Sequence, residues 1–391
     1  MKLAVVGLGQ CGGRIADEFS RMQMRSRGLR GIDIVVETIA VNTDAADLAG
    51  IVSIKPDSTH RLLIGASATR GHGTAKVGEL GAEIMRGEAG RVYEALNRNQ
   101  KLSEADALLV VAATAGGTGS GGIPALIRSL KEHIADKPVY ALLALPFEHE
   151  ESSEQSSIAN TAVCLKATSA VADAVILMDN QRFVRKDSSL RANMQKINQS
   201  IVEPFFNLLC AGEDKKPKNI GAKVMDAGDI IATLDGWTAI GYGKSVLPLI
   251  TLPKDSSHDF VRKDIRTDQG MYAMNEALDE LSFACKPSGA HKALYLVSAP
   301  VKEMSIDLTQ GLGDYMRKAA PAAEIRGGDY PREKGLMDVT VILSSFGEAD
   351  RLKYFYEKSA GLLKDREARQ QAKADRVMLT EEAGKDIPSL L

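Results

Sequence analysis

The stretch from Ala107 to Gly122, A-L-L-V-V-A-A-T-A-G-G-T-G-S-G-G, constrains this chain more than any other. Its first seven residues form an uninterrupted apolar run of the length of a buried strand. The run breaks into Gly116-Gly117-Thr118-Gly119-Ser120-Gly121-Gly122. A helical spacing follows through Ile123, Leu126, Ile127 and Leu130, with Pro124 in a first turn. Strand, glycine turn and helix start make a phosphate-binding arrangement. Glycine lets backbone N–H groups approach an anion, and the helix dipole favours negative charge there. Five glycines in seven residues exceed what a tight turn needs, and Thr118 and Ser120 add hydroxyl donors. No lysine follows the last glycines, so the spacing is not that of a Walker loop.

A second glycine loop stands near the start. The strand predicted over Lys2 to Gly7 runs into Gly7-Leu8-Gly9-Gln10-Cys11-Gly12-Gly13, and a helix follows through Ile15, Ala16 and Phe19. Read alone, Gly7-x-Gly9-x-x-Gly12 is a dinucleotide fingerprint. In that reading Asp44 or Glu37 would hold a ribose, and the chain would be an NAD(P)-dependent oxidoreductase. One glycine loop suffices for such an enzyme, and here there are two. Cys11 by itself also reads as a small buried hydrophobe.

Further strands are predicted over Ile34 to Val41, Arg61 to Ile64, Pro138 to Leu145 and Ala174 to Met178, the last closing this sheet at Asp179-Asn180. Asn42-Thr43-Asp44 follows the first of these, and Thr69-Arg70-Gly71-His72-Gly73-Thr74 the second. Glu148 to Glu154 reads as an acidic loop. From Leu190 a core helix runs through Met194, Ile197, Ile201, Phe205, Leu208 and Leu209, with Pro204 expected to kink it or to leave a carbonyl unpaired. Val224-Met225-Asp226-Ala227-Gly228-Asp229 then places two carboxylates three residues apart, on one face if helical. Asp229 is a possible N-cap there, with Asp226 solvated. Beyond Trp237 the pattern alternates strands (239–243, 293–298, 323–327, 338–343) with helices near 270–283 and 307–319. Arg326-Gly327-Gly328-Asp329-Tyr330-Pro331 reads as a glycine turn.

Length and composition bound the function. A chain of 391 residues holds two domains with cores of their own. Lys and Arg number 49 against 51 Asp and Glu, and 5% of residues are aromatic, so a nucleic-acid surface is not expected. Cys11, Cys164, Cys210 and Cys285 are scattered, which fits a reducing cytoplasm and argues against a zinc site or a disulfide framework. No signal peptide is read at Met1-Lys2, and no apolar run reaches the roughly 20 residues of a membrane span.

Taken in order, these loops resemble the tubulin/FtsZ superfamily, and within it the archaeal CetZ group. The central run resembles its G-G-G-T-G-[SA]-G motif, with Ala115 in the place of the first glycine; a positive φ at that position would strain it. The Gln10 loop, the lack of an arginine after Pro146 and the Arg326–Pro331 run are the features most like CetZ. The resemblance implies a parallel-sheet, Rossmann-like GTPase domain, a long central helix and a smaller α/β C-terminal domain. The corresponding divisions are 1–189, 190–212, a catalytic loop and connecting helix at 213–236, 237–362, and a tail at 363–391.

By the same resemblance GTP or GDP, with Mg²⁺, contacts Gly9, Gln10, Cys11, Gly12, Asn42, Asp44, Gly71, His72, Gly73, Ala115, Gly116, Gly117, Thr118, Gly119, Ser120 and Asn180. Glu150 or Glu151 contacts the ribose. Asn198 reads guanine, with Met194 where relatives stack an aromatic on the base. Asp226 and Asp229 are the implied catalytic pair, reaching the γ-phosphate of a neighbouring subunit, and Val224 stands where relatives carry an asparagine. No metal-binding side-chain cluster is expected. The implied function is a cytoplasmic, cytoskeletal GTPase that assembles head to tail with itself, serving cell shape, its tail free for a further partner. A nucleotide-binding scaffold with little hydrolysis is the other outcome that Ala115, Met194, Val224 and the absent arginine after Pro146 allow.

Overall fold

The computed structural model describes every residue except 99, 185–189, 248–256, 334, 348 and 363–391; side chains are also undescribed at 190–192 and 257–266. The tail at 363–391 and its expected partner therefore lie outside the described residues.

The first half alternates strand and helix. β1 (Leu3–Leu8) enters α1 (Gly9–Arg30), followed by β2 (Val35–Asn42), the short α2 (Ala45–Ala49), β3 (Arg61–Leu63), α3 (Ala66–Thr69) and α4 (Gly78–Asn97). β4 (Ala107–Ala113) enters α5 (Thr118–His133); then come β5 (Val139–Leu145), α6 (Glu148–Ser153), α7 (Gln155–Ser169) and β6 (Ala174–Asp179). Every residue of β1, β5 and β6 is buried, so these strands are apolar runs and not alternating patterns. That is the signature of a parallel sheet covered by helices on both faces. One face packs Ile84, Leu126 and Leu165 from α4, α5 and α7, and the other packs Phe19 and Phe205 edge to face at 6.5 Å.

Phe205 belongs to the central helix α8 (Leu190–Cys210), which runs unbroken through Pro204. α9 (Ala227–Thr233), β7 (Gly236–Val246), α10 (Ser257–Asp279), β8 (Lys292–Ala299), α11 (Ile306–Ala319), β9 (Glu324–Pro331) and β10 (Leu336–Ser344) follow. A last helix, α12, covers 350–362.

Among the described residues the ten strands form one sheet, in the order β3-β2-β1-β4-β5-β6-β7-β10-β8-β9. β6 does not close the first sheet as expected. The first residues of β7, Gly236 to Thr238, pair in parallel with Ala174 to Ile176, while the rest of β7 pairs antiparallel with β10. A strand of 11 residues is long enough to do both. Three other expectations are corrected. Arg326–Pro331 is the body of edge strand β9, paired in parallel with β8, and not a turn. Its glycines are required by close approach: a Cβ on Gly327 would overlap the Tyr295 ring. Glu148–Ser153 is helical and not an open loop, because the Glu150 carboxylate turns back to accept the Phe147 N–H at 3.0 Å. Finally, α5 begins at Thr118, so Pro124 sits in its second turn and not its first.

Candidate functional site: two glycine loops at one end of the sheet

The C-terminal ends of β1 and β4 are neighbours, because these strands pair in register from Leu3↔Ala107 to Leu8↔Ala112. Each leads directly into a long helix, α1 of 22 residues and α5 of 16. Neither helix start is capped by a side chain: the N-cap residues are Leu8 and Gly117. Their first-turn N–H groups have no partner within the helix, and each terminus carries about half a positive charge. The two starts meet. A Cβ on Gly9 would lie 3.4 Å from the Gly119 nitrogen, and Gly9 takes a φ of 68°, which favours glycine. Two uncapped helix dipoles converging on one spot make an anion site.

The central loop meets its expectation at Ala115 without strain, since Ala115 is not among the residues with positive φ. Asn160 of α7 braces it, donating from Nδ2 to the carbonyls of Ala115 at 3.1 Å and Gly116 at 3.2 Å. The two hydroxyls expected to reach an anion are engaged inside the fold. Ser120 donates to the Gly116 carbonyl, and Thr118 Oγ1 lies 2.6 Å from Thr43 Oγ1 and 3.5 Å from Thr74 Oγ1. Backbone N–H groups are thus the donors left at the mouth. Gly116 alone in this loop faces open space, whereas a Cβ on Gly117 would overlap the Thr74 hydroxyl.

Thr43 and Thr74 bring two further loops to the same place. The Gly73 N–H donates to the Thr43 carbonyl at 3.1 Å, and the Ala45 N–H to the Gly71 carbonyl at 3.0 Å. Asp44 pairs with His72 in an isolated bridge. Asp44 also caps α2, accepting from the Ala46 and Asp47 N–H groups at 2.8 and 3.1 Å. Five of the seven residues from Arg70 to Lys76 have positive φ, among them the non-glycines Arg70, Ala75 and Lys76. Such strain is typical of segments built to hold a ligand. One acid was not picked out from sequence. Asp47 accepts from Gln10 Nε2 at 2.6 Å and from Asn42 Nδ2 at 3.1 Å, joining the first loop to the second. Its signal was the spacing Asp44-x-x-Asp47 at a helix start.

Cys11 stands at the opening of α1. Burial pushes its thiol up to about 11, and the Glu150 carboxylate adds to the effect while Arg14 opposes it. Glu150 therefore acts on this end of the sheet. Glu151 does not face it: its carboxylate is buried against the Arg351 guanidinium of α12 and accepts from Tyr354 Oη at 3.0 Å. Arg351 also meets Asp179 at 3.0 Å, beside the half-buried Asn180. Met194 and Asn198 share one face of α8, both half-buried.

Asp226 and Asp229 lie elsewhere. Asp226, and not Asp229, is the N-cap of α9: its Oδ1 accepts the Asp229 N–H at 2.9 Å, and Asp229 returns a long contact to the Asp226 N–H at 3.5 Å. Their position follows from a chain of contacts. The Met1 ammonium, at the start of β1, donates to the Leu209 carbonyl at 3.1 Å and pairs with Glu213 at 3.0 Å. Gly212, next to Glu213, lies so close to the acidic segment that a Cβ on it would be 3.2 Å from the Asp226 Cα. The acidic pair thus sits where β1 begins, and the glycine loops sit where it ends. Six residues of strand, roughly 20 Å, separate the two.

A mostly parallel sheet with two uncapped helix starts meeting at one end and an acidic pair at the other, joined by a central helix to a second α/β unit, defines the class: a two-part nucleotide-binding α/β protein. Residues 2–186 match the family model for the Tubulin/FtsZ family, GTPase domain, and residues 187–361 that for the Tubulin-like CetZ, C-terminal domain. Tubulin-like protein CetZ3 of Haloferax volcanii is 31% identical over 384 residues, covering 96% of this chain and 95% of its own. Among solved structures, the GTPγS-bound protofilament of CetZ2 from Haloferax volcanii superposes with a TM-score of 0.81 at 27% identity, covering 94% of this chain and all of that one. The GDP-bound monomer of CetZ1 from the same organism gives 0.78 at 28%, covering 93% of this chain and 100% of that one. The chain belongs to the tubulin/FtsZ family, among its tubulin-like CetZ members, and is a cytoskeletal GTPase. The oxidoreductase reading of Gly7–Gly12 falls with this membership. Among the described residues, no helix is long and apolar enough to cross a membrane.

Proposed function

We propose that this chain binds GTP at the two glycine loops and assembles head to tail into protofilaments. Hydrolysis follows when the Asp226/Asp229 loop of one subunit closes the pocket of the next. One observation carries the reading: pocket and acids stand at opposite ends of the same strand. Neither end is complete alone, and translating a copy along the strand direction brings them together. The GTPγS-bound protofilament of CetZ2 and the GDP-bound monomer of CetZ1 support it.

The residues fit the ligand. Backbone N–H groups of Gly9 to Gly12 and of Gly116 to Ser120 would hold the phosphates, and the loop from Gly71 to Gly73, with His72, would close on the last of them. Gln10, Asn42, Asp44 and Asp47 supply the hard oxygen donors that Mg²⁺ prefers at a phosphate. Glu150 is the ribose contact in preference to Glu151. Asn198 and Met194 receive the base, with Asn180 at the pocket's rim. The bound ion would neutralise charge on the phosphates, while the neighbour's carboxylate orients the attacking water. Residues 1–189 serve as the nucleotide unit, 190–212 as the connecting helix, 213–236 as the catalytic segment and 237–362 as the second unit. Cell-shape control in the cytoplasm is the process this reading favours, with no nucleic-acid partner.

Asp226→Asn tests it. Asparagine caps a helix as well as aspartate, so α9 keeps its start while the charge is lost. GTP binding is expected to be unchanged, phosphate release from filaments to fall about 100-fold or more, and filaments to outlast those of the parent. Unchanged turnover overturns the assignment. A second reading, a filament that hydrolyses slowly, draws on the mutual capping of Asp226 and Asp229 and on Val224 beside them; it predicts a parent turnover already near that of the variant.

A further inference from the structure

The acidic loop is not carried by the nucleotide unit. It hangs on the edge strand of the second one. We infer that the run Arg326-Gly327-Gly328-Asp329-Tyr330 of β9 is the seat that positions the Asp226/Asp229 loop for the neighbouring subunit's nucleotide, with Asp329 as the principal positioning residue. The inference rests on the head-to-tail reading above.

Four of these five residues touch the loop. Asp329 accepts two backbone N–H groups from it, Ala222 at 3.0 Å and Lys223 at 2.6 Å, while its own N–H donates to the Lys223 carbonyl at 3.0 Å. A carboxylate accepting two amide donors makes charge-assisted bonds, roughly twice as strong as neutral ones. Gly328 leaves room for the segment that follows: a Cβ there would stand 3.0 Å from the Met225 methyl and 3.1 Å from the Lys223 carbonyl. Met225 is itself buried and immediately precedes Asp226. Tyr330 Oη donates to Asp214 Oδ2 at 3.0 Å, holding the loop's first residues. Arg326 lies 3.5 Å from Asp229 Oδ1. Gly327 faces the other way, against Tyr295. The loop is thus fastened to one strand at several points ahead of its acidic end and again at Asp229.

Asp329 touches neither nucleotide loop, so its removal acts on hydrolysis in trans. Asp329→Asn keeps the side chain's volume and replaces one acceptor oxygen with an NH₂ group facing an amide donor. GTP binding and filament formation are expected to persist, while phosphate release per subunit falls about 10- to 100-fold, the scale of a misplaced catalytic group. Tyr330→Phe, which removes the bond to Asp214 together with the longer one accepted from Arg30 at 3.4 Å, is expected to move turnover the same way by less.

Complementation separates positioning from damage. A Cβ on Gly116 meets nothing within 4 Å, so Gly116→Glu is expected to add an anion at the mouth of the pocket, giving a chain with a blocked pocket and an intact acidic loop. Mixed filaments, verified by co-sedimentation to contain both chains, are assayed for phosphate release from Mg-GTP. Partial recovery of both Asp329→Asn and Asp226→Asn by Gly116→Glu supports the seat. Recovery of Asp226→Asn alone, or parent-like turnover of Asp329→Asn by itself, overturns it. Failure to recover Asp226→Asn overturns the head-to-tail reading instead.

Discussion

Cys11 shows how a single residue takes its chemistry from its place. A cysteine among glycines at a helix start has the electrostatics of a reactive thiolate. Here burial and the charge of Glu150 outweigh the opposing charge of Arg14, and the thiol is pushed up to about 11. Alkylation of Cys11 by iodoacetamide, followed by peptide mass spectrometry, is therefore expected to be slow at pH 7.5 and to climb about tenfold per pH unit towards pH 10. The sign follows from the shift: a raised acid stays protonated, and unreactive, further into the alkaline range. A rate at pH 7.5 equal to that of a free thiol would contradict it. Two of the three acids of α6 make the same point. Glu150 and Glu151 are adjacent and chemically alike, yet one closes its own helix turn and influences Cys11 while the other is buried against Arg351.

At the level of elements, α12 is the clasp between the second unit and the first. Arg351 brings one guanidinium to two carboxylates from different elements, Glu151 of α6 and Asp179 at the end of β6. The side chains are 16%, 5% and 9% exposed, so solvent screens them little. Breaking such a buried cluster leaves uncompensated charge and costs about 3 kcal/mol or more. Arg351→Ala is thus expected to lower the denaturation midpoint markedly. Arg351→Lys is expected to recover only part of the loss, because an ammonium cannot serve both carboxylates with a planar fork. Equal midpoints for parent and alanine variant would show that the clasp carries no net stability. β9 teaches the complementary lesson. Two adjacent glycines read locally as a turn, yet they lie in a strand paired with β8, where a Cβ on Gly327 would overlap the Tyr295 ring and one on Gly328 would press on Met225.

For the whole molecule, the consequence of placing pocket and acids at opposite ends is a dependence on concentration. Phosphate release per chain from Mg-GTP is expected to stay near zero at low protein concentration and to rise above a threshold at which filaments form. A constant rate per chain would mean that each copy carries a complete site.

The strands and glycine loops were legible in sequence because their causes are local. An apolar run signals a strand covered on both faces, and glycines mark where backbone must approach backbone. Ala107 to Gly122 needed no other part of the chain to declare a strand, a loop and a helix start. Family likeness ordered the remaining loops. Asp47 joining Gln10 to Asn42, Asn160 bracing the central loop, Arg351 reaching Glu151 across 200 residues, and β9 seating the acidic loop were not legible. Each depends on which strands lie side by side and at which end of the sheet a loop emerges. Sequence periodicity records which residues are buried, but not against what. Only the folded sheet decides that the glycine loops and the acids stand at opposite ends of one strand, which is the arrangement the head-to-tail proposal requires.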